Sequence, residues 1–189
     1  MNAYDFVHLA LRAMGGEIKG KTKLQKTIYF LGEIVGCLED LGYRAHYYGP
    51  YSDTVAAATD RLVSLGFVDH SSAGVGSVDV MGFEVARHDF SLSEKGKRVA
   101  DLKAKRFQDV WCKLENAAQV LQKAGDLDYM KLSIAAKTYF TLGQRRGTAT
   151  FDDLARLARR FGWTVTGTQV REAADWLAEV GLVTLKADS

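Results

Sequence analysis

The order of apolar patterns in the first half of the chain constrains its fold more than any other feature. Residues 4–14, 21–39 and 52–65 each carry apolar side chains at a spacing of three to four, which is typical of amphipathic helices. From Phe67 to Leu92, β-branched and aromatic residues with partial alternation predict a hairpin or a small three-stranded sheet, with its turn near Ser72–Gly76. Three short helices need a sheet or partner helices to cover their apolar stripes, and a winged helix-turn-helix supplies that arrangement.

The second half of the chain is predicted to be almost entirely helical. Ser93 can cap a long helix that runs to about Ala124, and further helices are expected over 127–142, 150–160 and from Thr168 to Gly181. A short strand over Leu182–Leu185 would end the chain. We therefore predict a mainly α fold with a small β-wing.

Three regions follow from this order of elements. They are a winged helix-turn-helix over 1–96, a long connecting or dimerisation helix over 97–125, and a helical unit over 126–189. In the last region, residues 173–183 echo residues 58–68, since each stretch is a helix that ends in glycine before an apolar pair. A second helix-turn-helix without a wing would explain this echo, and so would the common habit of helices to end in glycine.

Composition limits the class of protein without deciding its function. The 189 residues are 47% hydrophobic and contain one proline, so the regions are expected to pack together without a flexible linker. The net charge of +2 is far from that of a strongly basic nucleic-acid binder. Without a signal peptide or an apolar run of membrane length, the chain is predicted to be soluble and cytoplasmic, and Cys37 and Cys112 are expected to be buried free thiols.

One motif resembles the phosphate-binding loop of many NTPases. Residues Gly15–Thr22 match the pattern G-x-x-x-x-G-K-[ST]. A working loop needs a strand before it and small residues whose amides surround the phosphates, whereas here the preceding segment is helical and Glu17 and Ile18 would occupy the cradle. We rank an NTP-binding protein third among the candidate functions.

No group of residues predicts a catalytic or metal centre. The four histidines are His8, His46, His70 and His88, and two of them lie in Asp69-His70 and His88-Asp89, which could face each other across the hairpin. A metal site would need a further ligand, so we expect ordinary surface histidines. We predict a protein that is not an enzyme and has no catalytic residue, metal or cofactor.

The charge of the predicted recognition helix and wing is unusual for a DNA reader. Tyr51–Leu65 carries one arginine against two aspartates, a balance of −1, and the hairpin from Asp69 to Glu94 carries one arginine against five acids, a balance of −4. Positive charge clusters at Lys19–Lys26, at 95–106 and near the second unit at Arg145, Arg146, Arg156, Arg159 and Arg160. These clusters could hold phosphates or could be the solvated faces of helices.

The first half of the chain also resembles a known group of proteins, the YwgA-type family. The motifs that carry this resemblance are Lys21-Thr22-Lys23-Leu24-Gln25-Lys26, Tyr29-Phe30-Leu31, Tyr47-Tyr48-Gly49-Pro50-Tyr51-Ser52 and the helix that ends at Leu65-Gly66-Phe67. The K-L-Q-K and G-P elements are similar, more loosely, to the Panacea (SocA-like) antitoxin domain, whose members neutralise toxins by protein contact. Gln25 and Tyr48 could therefore serve structure or contact.

A second resemblance concerns the end of the wing. Phe90-Ser91-Leu92-Ser93-Glu94-Lys95-Gly96 is similar to the last wing strand and the following helix of PadR- and MarR-like regulators, in which that helix makes a dimer. The resemblance implies that Val110, Trp111 and Leu114 pair with a second subunit. Packing of the same residues within the monomer is the alternative.

Two candidate functions rank above NTP binding. The first is a winged-helix transcription regulator that binds double-stranded DNA as a dimer, with Lys21, Lys23 and Lys26 on the phosphate backbone and Ser52, Thr54 and Arg61 nearest the groove. The alternative is an antitoxin-like or adaptor protein that presents Tyr47, Tyr48 and Tyr51, with the acidic wing, to a protein partner.

Overall fold

The computed structural model describes residues 1–73, 87–125, 129–144 and 150–184, and it confirms a mainly helical chain with a small antiparallel sheet. In chain order the elements are α1 (Ala3–Ala13), β1 (Glu17–Lys19), α2 (Lys21–Val35), α3 (Asp53–Ser64), β2 (Val68–Ala73), β3 (Arg87–Leu92), α4 (Glu94–Arg106), α5 (Gln108–Lys123), α6 (Tyr129–Gln144), α7 (Phe151–Arg160) and α8 (Gly167–Glu179). None of the helices in the described ranges combines the length and the apolar character that a membrane span requires.

The sheet completes a winged helix and contains one strand that we did not predict. Its order is β1-β3-β2, with both pairings antiparallel, so β3 lies in the middle. β1 has only three residues, of which Ile18 alone is buried, and that is too short for alternation to reveal it. The predicted turn at Ser72–Gly76 is wrong at its start, because Ser72 and Ala73 still pair with β3, and its remaining residues lie outside the described ranges.

The second helix ends earlier than its apolar stripe suggested. α2 ends at Val35, because Gly36 adopts the left-handed conformation (φ 81°) that closes a helix, and a single 3-10 turn over Glu39–Leu41 continues the stripe. Leu41 of this turn is buried in the core and lies against Gly32. Residues on both sides of the break therefore pack against the same core, and their spacing imitates one helix.

The predicted long helix after the wing is two helices. Its start is confirmed, since Ser93 caps α4 by accepting a hydrogen bond from the amide of Gly96 (3.0 Å). The helix breaks at Phe107, whose φ and ψ of −115° and 47° are not helical, and α5 then packs against α1 and α2. The region predicted as a connecting arm is thus part of the body of the protein.

The last three helices pack on one another and join the main core. Buried residues of α6 and α8, including Leu132, Ala136 and Leu177, belong to the same apolar cluster as α1, α2 and α5. α7 and the segment after it form a smaller cluster around the buried ring of Trp163. The helical unit predicted from residue 126 onward therefore shares its core with the winged helix.

The two ends of α8 differ in detail from the prediction. The helix is capped by Thr166 and not by Thr168, through a reciprocal pair of hydrogen bonds with Gln169. At its other end Gly181 adopts a φ of 75°, and the amide of Leu182 bonds to the carbonyl of Leu177, just as Phe67 bonds to Leu62 after α3. The sequence echo thus corresponds to the same helix ending, but residues 182–184 form no strand here and Leu185 lies outside the described ranges.

Candidate functional site

The N-terminus of α2 is an exposed basic site. Gly20 precedes the helix with a φ of 99° and offers no side-chain cap, and no acidic residue lies in the first turn. The amides of the first turn therefore point outward without a partner from the helix itself. Lys19 and Lys21 are exposed beside them and Lys23 is half-buried. The amides of a helix N-terminus, the helix dipole and the two exposed lysine side chains together favour a bound phosphate.

The same segment does not form the phosphate-binding loop of an NTPase. Residues 17–19, which would have to wrap around phosphates, are the extended strand β1 and pair with β3. On either side of them, the Gly16 carbonyl accepts a hydrogen bond from the Leu92 amide (2.7 Å) and the Gly20 amide donates to the His88 carbonyl (2.8 Å). Because this backbone is extended and already hydrogen-bonded to β3, it cannot form the loop that cradles a triphosphate.

Lys26 does not lie on the surface with the other lysines, so its prediction as a DNA contact is wrong. Its side chain is 1% exposed and its Nζ donates to the carbonyl of Pro50 (2.6 Å). Burial, with the nearby charge of Lys137, lowers the pKa of Lys26 to about 7. Lys26 lies on the inward face of α2, where it holds the Gly49-Pro50 turn.

Ser52 is also buried, which removes it from the predicted groove contacts. Its hydroxyl caps α3 by accepting from the amide of Val55 (2.9 Å) and donates to the carbonyl of Leu41. Gln25 bonds to both backbone groups of Ser52, at 3.1 Å to its amide and 3.0 Å to its carbonyl. The role of Gln25 is therefore structural: it fixes the start of α3 against α2.

The outer face of α3 carries mostly short side chains and is slightly acidic. Its exposed residues are Asp53, Thr54, Ala57, Asp60, Arg61 and Ser64. Asp53 is neutralised by Arg44 at 2.7 Å, and the guanidinium of Arg61 lies over the ring of Tyr4, 5.2 Å from its centre. Of the predicted groove residues, Thr54 and Arg61 are therefore accessible.

The predicted aromatic surface is present on the turn before α3. Tyr47 and Tyr48 are 59% and 46% exposed and meet edge to face with ring centres 4.9 Å apart, whereas Tyr51 is half-buried. Two anchors hold this turn: Lys26 bonds to Pro50, and the indole NH of Trp163 donates to the carbonyl of His46. Both rings are thus held on a fixed support, which limits the entropy they would lose on binding.

The three residues predicted to form a dimer interface all pack against the core of their own chain, but they are buried to different extents. Leu114 is fully buried in the core of its own chain, so its assignment to a subunit interface is wrong. Val110 and Trp111 are half-buried and pack against that same core. The break at Phe107 explains this placement, because it turns α5 back onto α1.

The histidines and cysteines form no metal centre within the described residues, where no three suitable ligands converge. His70 and His88 do face each other on the wing, as their positions suggested, with Nε2 and Nδ1 2.9 Å apart. His8 is fully buried and not on the surface as we expected. Both thiols are free, but Cys37 is only half-buried and Cys112 is exposed, contrary to prediction.

The buried histidine belongs to a polar cluster that joins α1 to α4. The carbonyl of Gly96 requires a donor, so Nε2 of His8 carries the proton (2.9 Å), and Nδ1 accepts from Lys103 (3.1 Å). Lys103 also pairs with Asp5 at 2.8 Å. Burial, with the charge of Lys103, lowers the pKa of His8 to about 4.

Comparison with known proteins does not place the chain in a family: no family model matches it, and no curated protein shows significant similarity to it.

Proposed function

We propose that this protein is a non-enzymatic winged-helix regulator that binds double-stranded DNA. The observation that carries the proposal is the uncapped N-terminus of α2, with Lys19 and Lys21 exposed beside it. In helix-turn-helix proteins the helix before the recognition helix crosses the phosphate backbone. In this protein that helix is α2, and the amides of its N-terminus together with the exposed Lys19 and Lys21 are the groups that would bind a phosphate.

α3 would then enter the major groove. Apart from Arg61, its exposed side chains are short, which lets the helix approach the bases closely, and Thr54 and Arg61 would be the donors. Asp60 could accept a hydrogen bond from the amino group of cytosine, a contact that an acidic side chain makes in DNA readers. The pairing of Asp53 with Arg44 lowers the repulsion between α3 and the phosphates.

A salt titration with random duplex DNA tests this proposal. The logarithm of the binding constant should fall linearly with the logarithm of salt concentration, with a slope of about −0.9 for each phosphate bound by the protein. Replacing Lys19 and Lys21 by alanine together should make that slope shallower by about 0.9 for each phosphate that the variant no longer neutralises. The matched control replaces Lys113 and Lys123, which are both exposed on α5, and should leave the slope unchanged. Absence of binding at low salt would contradict the proposal.

The exposed tyrosine pair favours a second candidate, an adaptor or antitoxin-like protein that binds a protein partner. Tyr47 and Tyr48 are large amphipathic rings on an anchored turn, and tyrosine is enriched where proteins bind each other. This candidate predicts a stoichiometric complex that survives high salt and is abolished in Tyr47→Ala/Tyr48→Ala. Tyr129→Ala, which removes an exposed ring from α6, is the control. A complex that tolerates the double change would exclude this surface.

A further inference from the structure

The wing carries a pair of histidines on the side that faces the helices. Val68, Phe90 and Leu92 are buried on that side of β2 and β3, which we call the inner face of the wing. Because side chains alternate along a strand, His70 and His88 project from the same inner face. His70 is exposed and His88 is half-buried, so the pair lies at the rim where the sheet leaves the core.

The two imidazoles form one hydrogen-bonded unit. Nε2 of His70 and Nδ1 of His88 are 2.9 Å apart, and the ring of His70 also stacks on Phe90, with ring centres 4.9 Å apart and an angle of 10° between the rings. A hydrogen bond between two imidazoles needs a donor and an acceptor, so the accepting ring is neutral. The pair can therefore bind a further proton, and imidazole is the side chain whose ordinary charge change lies between pH 5 and 8.

The pair adjoins the N-terminus of α2 and the outer face of α3. The carbonyl of His88 accepts a hydrogen bond from the amide of Gly20, the residue that precedes α2 (2.8 Å). A cleft of about 80 Å³, enough for a few water molecules, lies between the wing and these two helices. It is lined by both histidines and by Lys21, Leu24, Gln25, Ala56, Thr59, Asp60 and Phe90. The charge of the pair therefore acts on the surface assigned above to DNA.

The charged groups around the pair are balanced in the absence of DNA. Lys21 and Asp60, which are both exposed, line the cleft with opposite charges. The acids next to the histidines in sequence, Asp69 and Asp89, project from the other face of the sheet. A phosphate bound near Lys21 would make the surroundings negative, and a nearby negative charge favours the protonated form of an imidazole. Bound DNA would therefore favour a proton on the pair.

We infer that the inner face of the wing is a further DNA contact, in which the His70–His88 pair takes up a proton and faces a phosphate. This contact rests on the proposed function and adds a proton to it. It gives the wing a positive group despite its acidic composition, because Asp69 and Asp89 of the paired strands lie on the opposite face. Linkage is reciprocal: if DNA favours protonation of the pair, protonation must strengthen DNA binding by the same factor. DNA affinity should therefore rise as pH falls.

DNA titrations at pH 8 and pH 6, at one ionic strength and in the presence of EDTA, test this contact. The two values span the upper part of the range in which imidazole changes its charge, and EDTA prevents a metal ion held by two imidazoles from producing the effect. We expect the wild-type protein to bind random duplex DNA about fivefold more tightly, or more, at pH 6 than at pH 8. Equal affinity at the two pH values would overturn the inference.

A double variant assigns the gain in affinity to the pair. His70→Gln/His88→Gln keeps polar side chains that hydrogen-bond but cannot take up a proton, and it should bind DNA at pH 8 as the wild type does and lose most of the gain at pH 6. The control is His46→Gln, which removes an exposed histidine outside the cleft and should keep the gain. If the double variant does not fold, His70→Gln alone at its exposed position replaces it. A folded variant that keeps the full gain would refute the contact.

The gain must be compared between variants because another group titrates in the same range. Burial lowers the pKa of Lys26 to about 7, and this lysine is present in the wild type and in every variant. The difference between the wild type and His70→Gln/His88→Gln therefore isolates the contribution of the histidines.

An NMR titration of the imidazole signals separates failure of this contact from failure of the proposed function. In the DNA complex, the signals of His70 and His88 should change at a higher pH than in the free protein. If the protein binds DNA but both signals change at the same pH with and without it, the contact is refuted while the proposed function stands. Absence of DNA binding at both pH 8 and pH 6 would overturn the proposed function and this contact with it.

Discussion

The winged helix and the junction around α8 treat their buried polar groups in opposite ways. In the winged helix His8, Gln25, Lys26 and Ser52 are all nearly inaccessible, and each has a defined partner, usually a backbone group of another element. At the junction the indole NH of Trp176 is buried without a partner, and the residue lines two clefts of about 410 and 200 Å³. The buried polar side chains named in the winged helix are hydrogen-bonded within the protein, whereas the indole NH of Trp176 has no acceptor.

This difference indicates how strongly substitutions in each region should affect the stability of the protein. A group whose partner is fixed in the backbone stabilises one arrangement, and its removal leaves that partner unsatisfied at a cost of about 1–3 kcal/mol. Removing a donor that already lacks a partner breaks no hydrogen bond. Substitutions in the winged helix should therefore be costly, and matched substitutions in the last three helices should be mild.

The largest contrast is expected between two helical glycines. Gly96 packs so closely on the backbone of Phe67 that an added methyl group would overlap the Phe67 carbonyl oxygen, so Gly96→Ala should lower the free energy of unfolding by more than about 3 kcal/mol. Gly143 in α6 has nothing near the corresponding position, and Gly143→Ala should be neutral or stabilise by a few tenths of a kcal/mol, up to about 1 kcal/mol. Urea unfolding measures both; similar values would refute the contrast.

Next in size is the removal of one glutamine from each region. Gln25→Ala leaves the buried amide and carbonyl of Ser52 unsatisfied and should cost about 2–3 kcal/mol. Gln169→Ala removes the glutamine half of the α8 capping box, whose hydrogen bond is exposed to solvent, and should cost only about 0.5–1 kcal/mol. Thermal denaturation of the two variants side by side would show the order, and a Gln25 variant as stable as the wild type would contradict it.

The buried histidine makes the winged helix sensitive to acid. Because the folded pKa of His8 is about 4 and its ordinary value is 6.5, the unfolded chain binds the proton first as pH falls. The contribution of neutral His8 to the free energy of unfolding is complete above pH 6.5 and decreases towards pH 4. We therefore expect the protein to lose about 2 kcal/mol of stability between pH 7 and pH 4.5. Denaturant titrations at both values should show a smaller loss in His8→Gln; an equal loss would assign the acid sensitivity to other groups.

The smallest effect is predicted at the unmet donor itself. Trp176→Phe keeps an aromatic ring against Phe30 but removes the NH, so the loss of ring volume is offset by removal of an unsatisfied group. We expect a change in the free energy of unfolding below about 1 kcal/mol. A loss above about 2 kcal/mol would mean that the NH has a partner in solution.

The sequence predicted elements whose signals are local. Ser52 and Ser93 were recognised as caps, and Gly66 and Gly181 as helix ends, because such positions depend on their immediate neighbours. β1 and the break at Phe107 were missed because they depend on distant partners: three residues become a strand only by pairing with β3, and α5 turns back only because α1 and α2 offer an apolar surface.

The candidate site was predicted less well than the fold, for a related reason. Lys26 and Lys21 look alike in a basic cluster, yet the phase of α2 places one against the Pro50 carbonyl and the other in solvent. Of the predicted aromatic surface, Tyr47 and Tyr48 are exposed whereas Tyr51 is half-buried. The larger cleft at Trp176, of about 410 Å³, could not be foreseen, because six elements from distant parts of the sequence line it.

The return of α5 to α1 has a consequence for how the chain is made. The stretch from Phe6 to Leu11 is buried at every position, and part of its cover comes from α5, about 100 residues further along. At ribosomal speeds of about 5–20 residues per second, α5 is synthesised roughly 5–20 s after α1. During that interval the most apolar helix of the protein is incompletely covered, so the nascent chain has a period of exposure in which a chaperone would bind it.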